Sequence, residues 1–179
     1  MLDIAKIKEH YDEVGYAVVK GALRPDELEP LRTLLQKEVD DRARALFSIG
    51  KLDELFESEP LQSRLLRLEE RCPELWRGWR PNLQLSREIY DLMTHHAVKE
   101  ALTSVLGSEV FADGSPVLRV QNPSSTQATT AWHQDTSYAN DVMKEEGVAA
   151  EKIQFVTCWV PLMDVDQRNG CMRLIPGSR

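Results

Sequence analysis

A histidine and an aspartate stand two residues apart in the segment Trp132-His133-Gln134-Asp135. If this segment is a strand, residues i and i+2 point to the same face, so the imidazole and the carboxylate lie side by side. Completed by a second histidine, such a pair forms the facial triad of non-heme Fe(II) oxygenases, which leaves coordination positions open. His133 and Asp135 are therefore candidate metal ligands.

The spacing alone is weak support for a metal site. Four histidines and 29 acidic residues in this chain lead to roughly 0.65 His-x-acid matches from composition alone. A second match does occur at His10 and Asp12, in a segment with helical periodicity, where i and i+2 diverge. The predicted strand favours His133, and the alternative of a surface histidine beside an acid stays open.

Composition limits the partners that this chain is expected to have. The net charge is -7 and no run is rich in Lys or Arg, which argues against nucleic acid and anionic lipid. A small-molecule partner is the default, and a length of 179 residues suits one domain over residues 1–179. The oligomeric state is not predicted.

Cysteine usage and the apolar stretches indicate a cytoplasmic protein. Cys72, Cys158 and Cys171 are odd in number and far apart, which fits neither a disulfide framework nor a paired metal knuckle. Residues 1–10 contain charges where a signal peptide needs an apolar core. The longest apolar stretch, residues 155–163, is too short for a bilayer that needs about 20 residues.

The first part of the chain is predicted to be mainly helical, from residue 1 to about 115. Apolar residues at three- and four-residue spacing predict a helix that ends at Gly15, and residues 16–19 read as a strand. A second helix is expected to open at Pro25, with a helical pattern that continues to about 71 and breaks at Pro60. Residues 72–80 are predicted to be a loop, and residues 96–106 a helix stopped by Gly107.

The second part, residues 116–179, is predicted to be β-rich. Four short runs are rich in β-branched and aromatic residues and are separated by Pro, Ser, Asn and Gly. They are residues 117–121, 130–135, 153–162 and 171–175. Four strands are too few to close a barrel or to build two packed sheets.

Three motifs together resemble the phytanoyl-CoA dioxygenase family of Fe(II)/2-oxoglutarate-dependent oxygenases. They are residues 132–138, with the His-Gln-Asp triplet, residues 156–162, and residues 169–178, which end in Ile-Pro-Gly-Ser. Residues 11–21 resemble the opening of the same family, so the resemblance runs from about residue 10 to the end and is strongest after about 117.

The resemblance implies an α+β fold, with N-terminal helices followed by a partial double-stranded β-helix, or jelly roll, that is incomplete at the C-terminus. It implies that His133 and Asp135 bind Fe(II) and that 2-oxoglutarate is the co-substrate. Leu118, Gln134 and Trp159 match family positions that line the co-substrate, and Gln121 is a further polar candidate. The Asp135 carboxylate favours hydroxylation or another oxidation over halogenation, because related halogenases have a small residue there.

Two of these positions have a plain alternative. Trp159 fits equally well as a core aromatic residue with a bonded N–H, and Leu118 is more typical of a core than of a pocket. Segments 72–80 and 138–150 are expected to contact the substrate, because loops around such a core carry specificity. Lys144, Glu145 and Glu146 in the second segment are equally consistent with a solvated face.

The resemblance also exposes a gap in the ligand set. Family members have a second histidine ligand and an arginine that binds 2-oxoglutarate beyond the Pro-Gly-Ser segment, whereas His133 is the last histidine here and His95 and His96 lie in the helical half. We therefore expect a truncated or fragmentary form of a dioxygenase that oxidises a small organic molecule with O2. The alternative is a non-catalytic binding or regulatory remnant. A cupin-like enzyme ranks last, because it needs more histidines.

Overall fold

The computed structural model describes residues 3–76, 79, 81, 83, 86–112, 116–119, 131–135 and 154–178. In this part of the chain the regular elements are helices. They are α1 (Ile4–Val14), a 3-10 turn (Pro25–Glu27), α2 (Glu29–Ser48), α3 (Leu61–Arg71), α4 (Pro73–Trp76), α5 (Arg87–Met93) and α6 (His96–Leu106).

Local signals in the sequence explain where several helices begin and end. Helix α1 ends at Gly15, which has a left-handed φ of 86° and whose N–H donates to the carbonyl of Tyr11, as a glycine cap does. Ser86 accepts a hydrogen bond from the N–H of Ile89 at the start of α5, which is the usual role of an N-cap serine. The predicted ends at Gly15 and Gly107 are confirmed.

Helix α2 is the centre of the packing. Its buried residues, Leu31, Leu35, Val39, Ala43 and Leu46, repeat every three or four positions and so form one apolar face. The helix contacts α3, α5 and the 3-10 turn, while α1 packs against α6. The predicted helical pattern up to residue 71 is interrupted earlier than Pro60, because α2 already ends at Ser48.

The core is one cluster of buried apolar side chains. Its members are Leu28, Leu31, Leu35, Val39, Ala43, Leu46, Leu52, Leu65, Leu68, Cys72, Trp76, Leu83, Ile89 and Leu162. The last of these lies far along the chain and is fastened to α2, because Arg32 Nε donates to its carbonyl at 2.5 Å. Leu118 and Val160 also pack against the cluster.

Among the residues that the structure describes, one charged side chain is buried. Arg64 is 1% exposed, its Nη1 bonds to the carboxylate of Asp40, and its Nε donates to the carbonyl of Leu55 at 2.9 Å. Its Nη2 is buried and has no hydrogen-bond partner among the described residues. The pair joins α3 to α2.

The expected α+β fold with a partial jelly roll is wrong for the part of the chain that the structure describes. Residues 16–19, 116–119, 154–162 and 171–175 contain no strand, and residues 131–134 belong to no helix or strand. A strand exists only where its N–H and C=O groups pair with a neighbouring chain segment, and these runs form no such ladder within the described residues. The β-branched residues in these runs favour extended backbone, but this preference does not supply a segment to pair with.

Several large apolar side chains in these unpaired runs are exposed to solvent. They are Val117, Trp132, Trp159, Met172, Leu174 and Ile175. Between Leu162 and Cys171 the backbone forms a turn, where Asn169 Nδ2 donates to the carbonyl of Asp164 at 2.8 Å. Among the described helices, none is both long and apolar enough to cross a bilayer.

Candidate functional site

The candidate site lies on the short loop of residues 131–135. His133 Nε2 is 3.0 Å from Asp135 Oδ1, and His133 Nδ1 is 2.7 Å from the carbonyl oxygen of Ala131. The two side chains are partly open to solvent, with 30% of His133 and 44% of Asp135 exposed. The structure thus brings together the two side chains that the sequence singled out, although a loop rather than a strand does so.

The contact with Ala131 determines which ring nitrogen of His133 carries the proton in the neutral form. A carbonyl oxygen can only accept, so Nδ1 must carry the proton of that hydrogen bond. In the neutral ring Nε2 then has a lone pair and faces a carboxylate oxygen, and two acceptors at 3.0 Å repel each other. A metal ion bound to both atoms would satisfy the lone pair of Nε2 and the carboxylate of Asp135 together.

The distance fits a shared metal ion. Bonds of about 2.1 Å to nitrogen and oxygen, set at a right angle, place two ligand atoms roughly 3.0 Å apart. The hydrogen bond from Nδ1–H to a backbone carbonyl is the arrangement that commonly fixes the tautomer and the ring orientation of a metal-binding histidine. His133 and Asp135 therefore have the donor set for two positions of an Fe(II) site.

The other histidines have different surroundings. The ring of His10 lies edge-on to Tyr16, with centroids 5.3 Å apart. His95 accepts from the N–H of Ala97 and contacts Glu27 at 3.4 Å, and its ring lies 4.4 Å from that of His96. Within the described residues, no group of three His, Cys, Asp or Glu side chains could hold a metal ion, so the third ligand is not identified.

The residues expected to contact the co-substrate have different surroundings in the structure. Leu118 is half-buried and packs against the helical core, which agrees with its plain alternative. Trp159 is 43% exposed, so it is not an enclosed core aromatic. The side-chain amide of Gln134 donates to the carbonyl of Ser178, and Gln121 lies outside the described residues.

The segments expected to contact substrate are only partly described. In residues 72–80, Cys72 and Trp76 are buried in the core, and Trp79 packs edge-on against Trp76 with centroids 5.1 Å apart. Arg42 lies 5.4 Å from the ring centroids of both tryptophans. These contacts make the described aromatic residues part of the fold. Residues 138–150 lie outside the described part.

A cleft of about 300 Å³ lies beside α1. Its lining residues are Asp3, Lys6, Ile7, His10, Ala17, Val18, Val19 and Lys20. His133 and Asp135 are not among them, so this cleft is not the space above the candidate metal ligands.

One set of contacts around the loop was missed by the sequence analysis. Besides the bond from Gln134 to Ser178, the N–H of Gly177 donates to the carbonyl of Val14 at 2.8 Å. The Pro176-Gly177 pair is the signal that could have indicated a turn here. Its partners could not be found from sequence, because both bonds join segments that are distant along the chain.

Comparison with known proteins identifies the family. No curated protein and no solved structure matches the chain. The family model for phytanoyl-CoA dioxygenase (PhyH) matches residues 11–179. Members of this family are oxygenases that act on small molecules with O2 and generally depend on Fe(II) and 2-oxoglutarate. Because the match covers nearly all of the sequence, the chain belongs to the phytanoyl-CoA dioxygenase family.

Proposed function

We propose that this protein is an Fe(II)/2-oxoglutarate-dependent dioxygenase that hydroxylates or otherwise oxidises a small organic molecule. In this proposal, His133 and Asp135 provide two of the iron ligands. The observation that carries it is the 3.0 Å approach of His133 Nε2 to Asp135 Oδ1, together with the hydrogen bond that holds Nδ1 to Ala131. The family assignment supports the same reading.

The roles of the two residues follow from their contacts. The Ala131 carbonyl keeps the proton on Nδ1 and so leaves Nε2 able to donate its lone pair to the metal. The carboxylate of Asp135 adds negative charge, which stabilises a divalent cation bound at Nε2. Iron and 2-oxoglutarate, when bound, supply the activation of O2. Trp159, one of the residues expected at the co-substrate, is 43% exposed to solvent, and this exposure supports a role in ligand binding.

Metal binding by the two residues can be tested with a closely matched control. Calorimetry with Mn(II), which is a redox-stable substitute for Fe(II), would be done on the wild type and on the His133→Ala/Asp135→Ala variant. The control is His10→Ala/Asp12→Ala, which removes the same residue types at the same spacing from α1. We expect the first variant to lose binding and the control to retain it.

Turnover is the second measurement. Purified protein with Fe(II), 2-oxoglutarate and O2 should form succinate, and the His133→Ala/Asp135→Ala variant should not. Mn(II) binding without succinate formation would favour the alternative, a non-catalytic binding protein of the same family. Equal Mn(II) affinity in the wild type and in the His133→Ala/Asp135→Ala variant would refute the assignment of the ligands.

A further inference from the structure

Residues 175–178 form a tight turn, which we call the Pro-Gly turn. Pro176 and Gly177 occupy its two central positions, Gly177 has a φ of 73°, and the N–H of Ser178 donates to the carbonyl of Ile175 at 3.3 Å. Proline at the second position and a residue with positive φ at the third are the signature of a type II turn. The backbone groups of such a turn therefore point in fixed directions.

The Pro-Gly turn lies between α1 and the loop that carries the candidate ligands. On one side the N–H of Gly177 donates to the carbonyl of Val14, the last residue of α1. The last carbonyls of a helix have no partner within the helix, so this bond satisfies one of them. On the other side the carbonyl of Ser178 accepts from the side-chain amide of Gln134.

Gln134 stands between the two candidate ligands in the sequence. Residues 131–134 belong to no helix or strand, so contacts such as the one from Gln134 to Ser178 help to hold their conformation. Fixing the backbone of one free residue costs about 1–2 kcal/mol of conformational entropy. A contact that fixes Gln134 therefore lowers the conformational entropy that its neighbours His133 and Asp135 lose when they bind a metal ion.

We infer that Gln134 is a positioning residue that holds the two metal ligands through the Pro-Gly turn, and that α1 supports the turn. This inference rests on the proposed function and deepens it. Its consequence is that Gln134, which the resemblance placed at the co-substrate, acts on metal affinity even when 2-oxoglutarate is absent. A pure co-substrate contact leaves metal affinity in the absence of 2-oxoglutarate unchanged.

Two variants with matched controls test the inference by calorimetry with Mn(II) in the absence of 2-oxoglutarate. Gln134→Met keeps the side-chain length and removes the amide donor, and its control is Gln62→Met on the exposed face of α3. Gly177→Ala strains the turn, since alanine rarely adopts positive φ. Its control is Gly50→Ala, because Gly50 has a φ of 72° and, like Gly177, has nothing within 4 Å of an added Cβ.

Removing a group that orients metal ligands typically weakens metal affinity by about 10- to 100-fold. We expect at least a tenfold rise in the Mn(II) Kd for Gln134→Met and for Gly177→Ala. Both controls should keep the wild-type Kd. Gly50→Ala should lower the melting temperature about as much as Gly177→Ala, which separates metal positioning from general stability.

The outcomes distinguish the two levels of the proposal. A wild type that binds Mn(II) no better than His133→Ala/Asp135→Ala overturns the proposed function and the inference with it. Normal wild-type binding that is unchanged in Gln134→Met or in Gly177→Ala overturns the inference alone. A Gly50→Ala variant that loses as much Mn(II) affinity as Gly177→Ala would also overturn it, because the loss would then follow stability.

Discussion

The ion pair between Arg64 and Asp40 allows a sharp prediction about stability. Arg64 is 1% exposed and Asp40 is 29% exposed, so Asp40→Ala leaves a nearly enclosed positive charge without its counterion. Breaking a buried pair by removing one partner costs about 3–5 kcal/mol. The Leu55 carbonyl still accepts from Arg64 Nε and water can reach the place of the carboxylate, so we expect the lower end, about 3 kcal/mol.

Chemical and thermal unfolding, followed by circular dichroism, measure this cost. In a chain of this size 1 kcal/mol corresponds to about 2–4 °C, so Asp40→Ala should lower the melting temperature by about 6–12 °C. Adding Arg64→Met to Asp40→Ala removes the unpaired charge and should recover part of the loss, because apolar replacements of buried ion pairs are often neutral.

Two results would contradict this reasoning. A loss below about 1 kcal/mol in Asp40→Ala would mean that the guanidinium is solvated as if at the surface. A double variant less stable than Asp40→Ala would mean that the charge of Arg64 is stabilised by groups other than Asp40. Exposed Asp41→Ala on the same helix is the control and should change stability little.

Three further predictions follow from single groups. Partial burial opposes ionisation of Asp40, but the Arg64 guanidinium outweighs it and holds the pKa of Asp40 below 3.8. A lowered pKa stabilises the folded state above the unfolded value, so the stability difference between the wild type and Asp40→Asn, measured in urea, should be full near neutral pH and vanish as pH falls below 3.8. Burial raises the pKa of both the Cys72 and the Cys158 thiols, but the Cys72 residue is buried whereas Cys158 is exposed to solvent; because of this difference in access, a thiol reagent should modify Cys158 first and Cys72 only after unfolding, as mass spectrometry would show. Gly15→Ala should cost about 1 kcal/mol in urea unfolding, because the φ of 86° is unfavourable for alanine.

The helices could be predicted from sequence because their signals are local. Apolar spacing and the glycines at 15 and 107 specify where α1 and α6 end, and each signal acts within a few residues. The strands could not, since residues 154–162 and 171–175 have a composition typical of strands, yet pairing depends on a distant segment. The composition of these runs indicated a preference for extended backbone, but no ladder of hydrogen bonds forms within the described residues, so no strand is present there.

The candidate site likewise contains a local contact, which could be predicted from sequence, and a distant contact, which could not. His133 and Asp135 could be singled out because they are separated by only one residue, so their side chains can meet in an extended or a turned backbone. Their 3.0 Å contact needs no distant partner. The bond from Gln134 to Ser178 joins segments far apart in the chain, so its existence depends on tertiary structure. The same holds for the buried pair of Arg64 and Asp40, which lie on two different helices.

The hydrogen bond from Gly177 to Val14 has a consequence for the order of folding. It closes a loop that contains nearly the whole chain, whereas the helical turns form from neighbouring residues. Loop-closure entropy must be overcome before such a distant contact stabilises anything, so local contacts form faster than distant ones. We therefore expect the helical cluster to assemble first and the contacts that support the candidate ligands His133 and Asp135 to form in the last stage of folding.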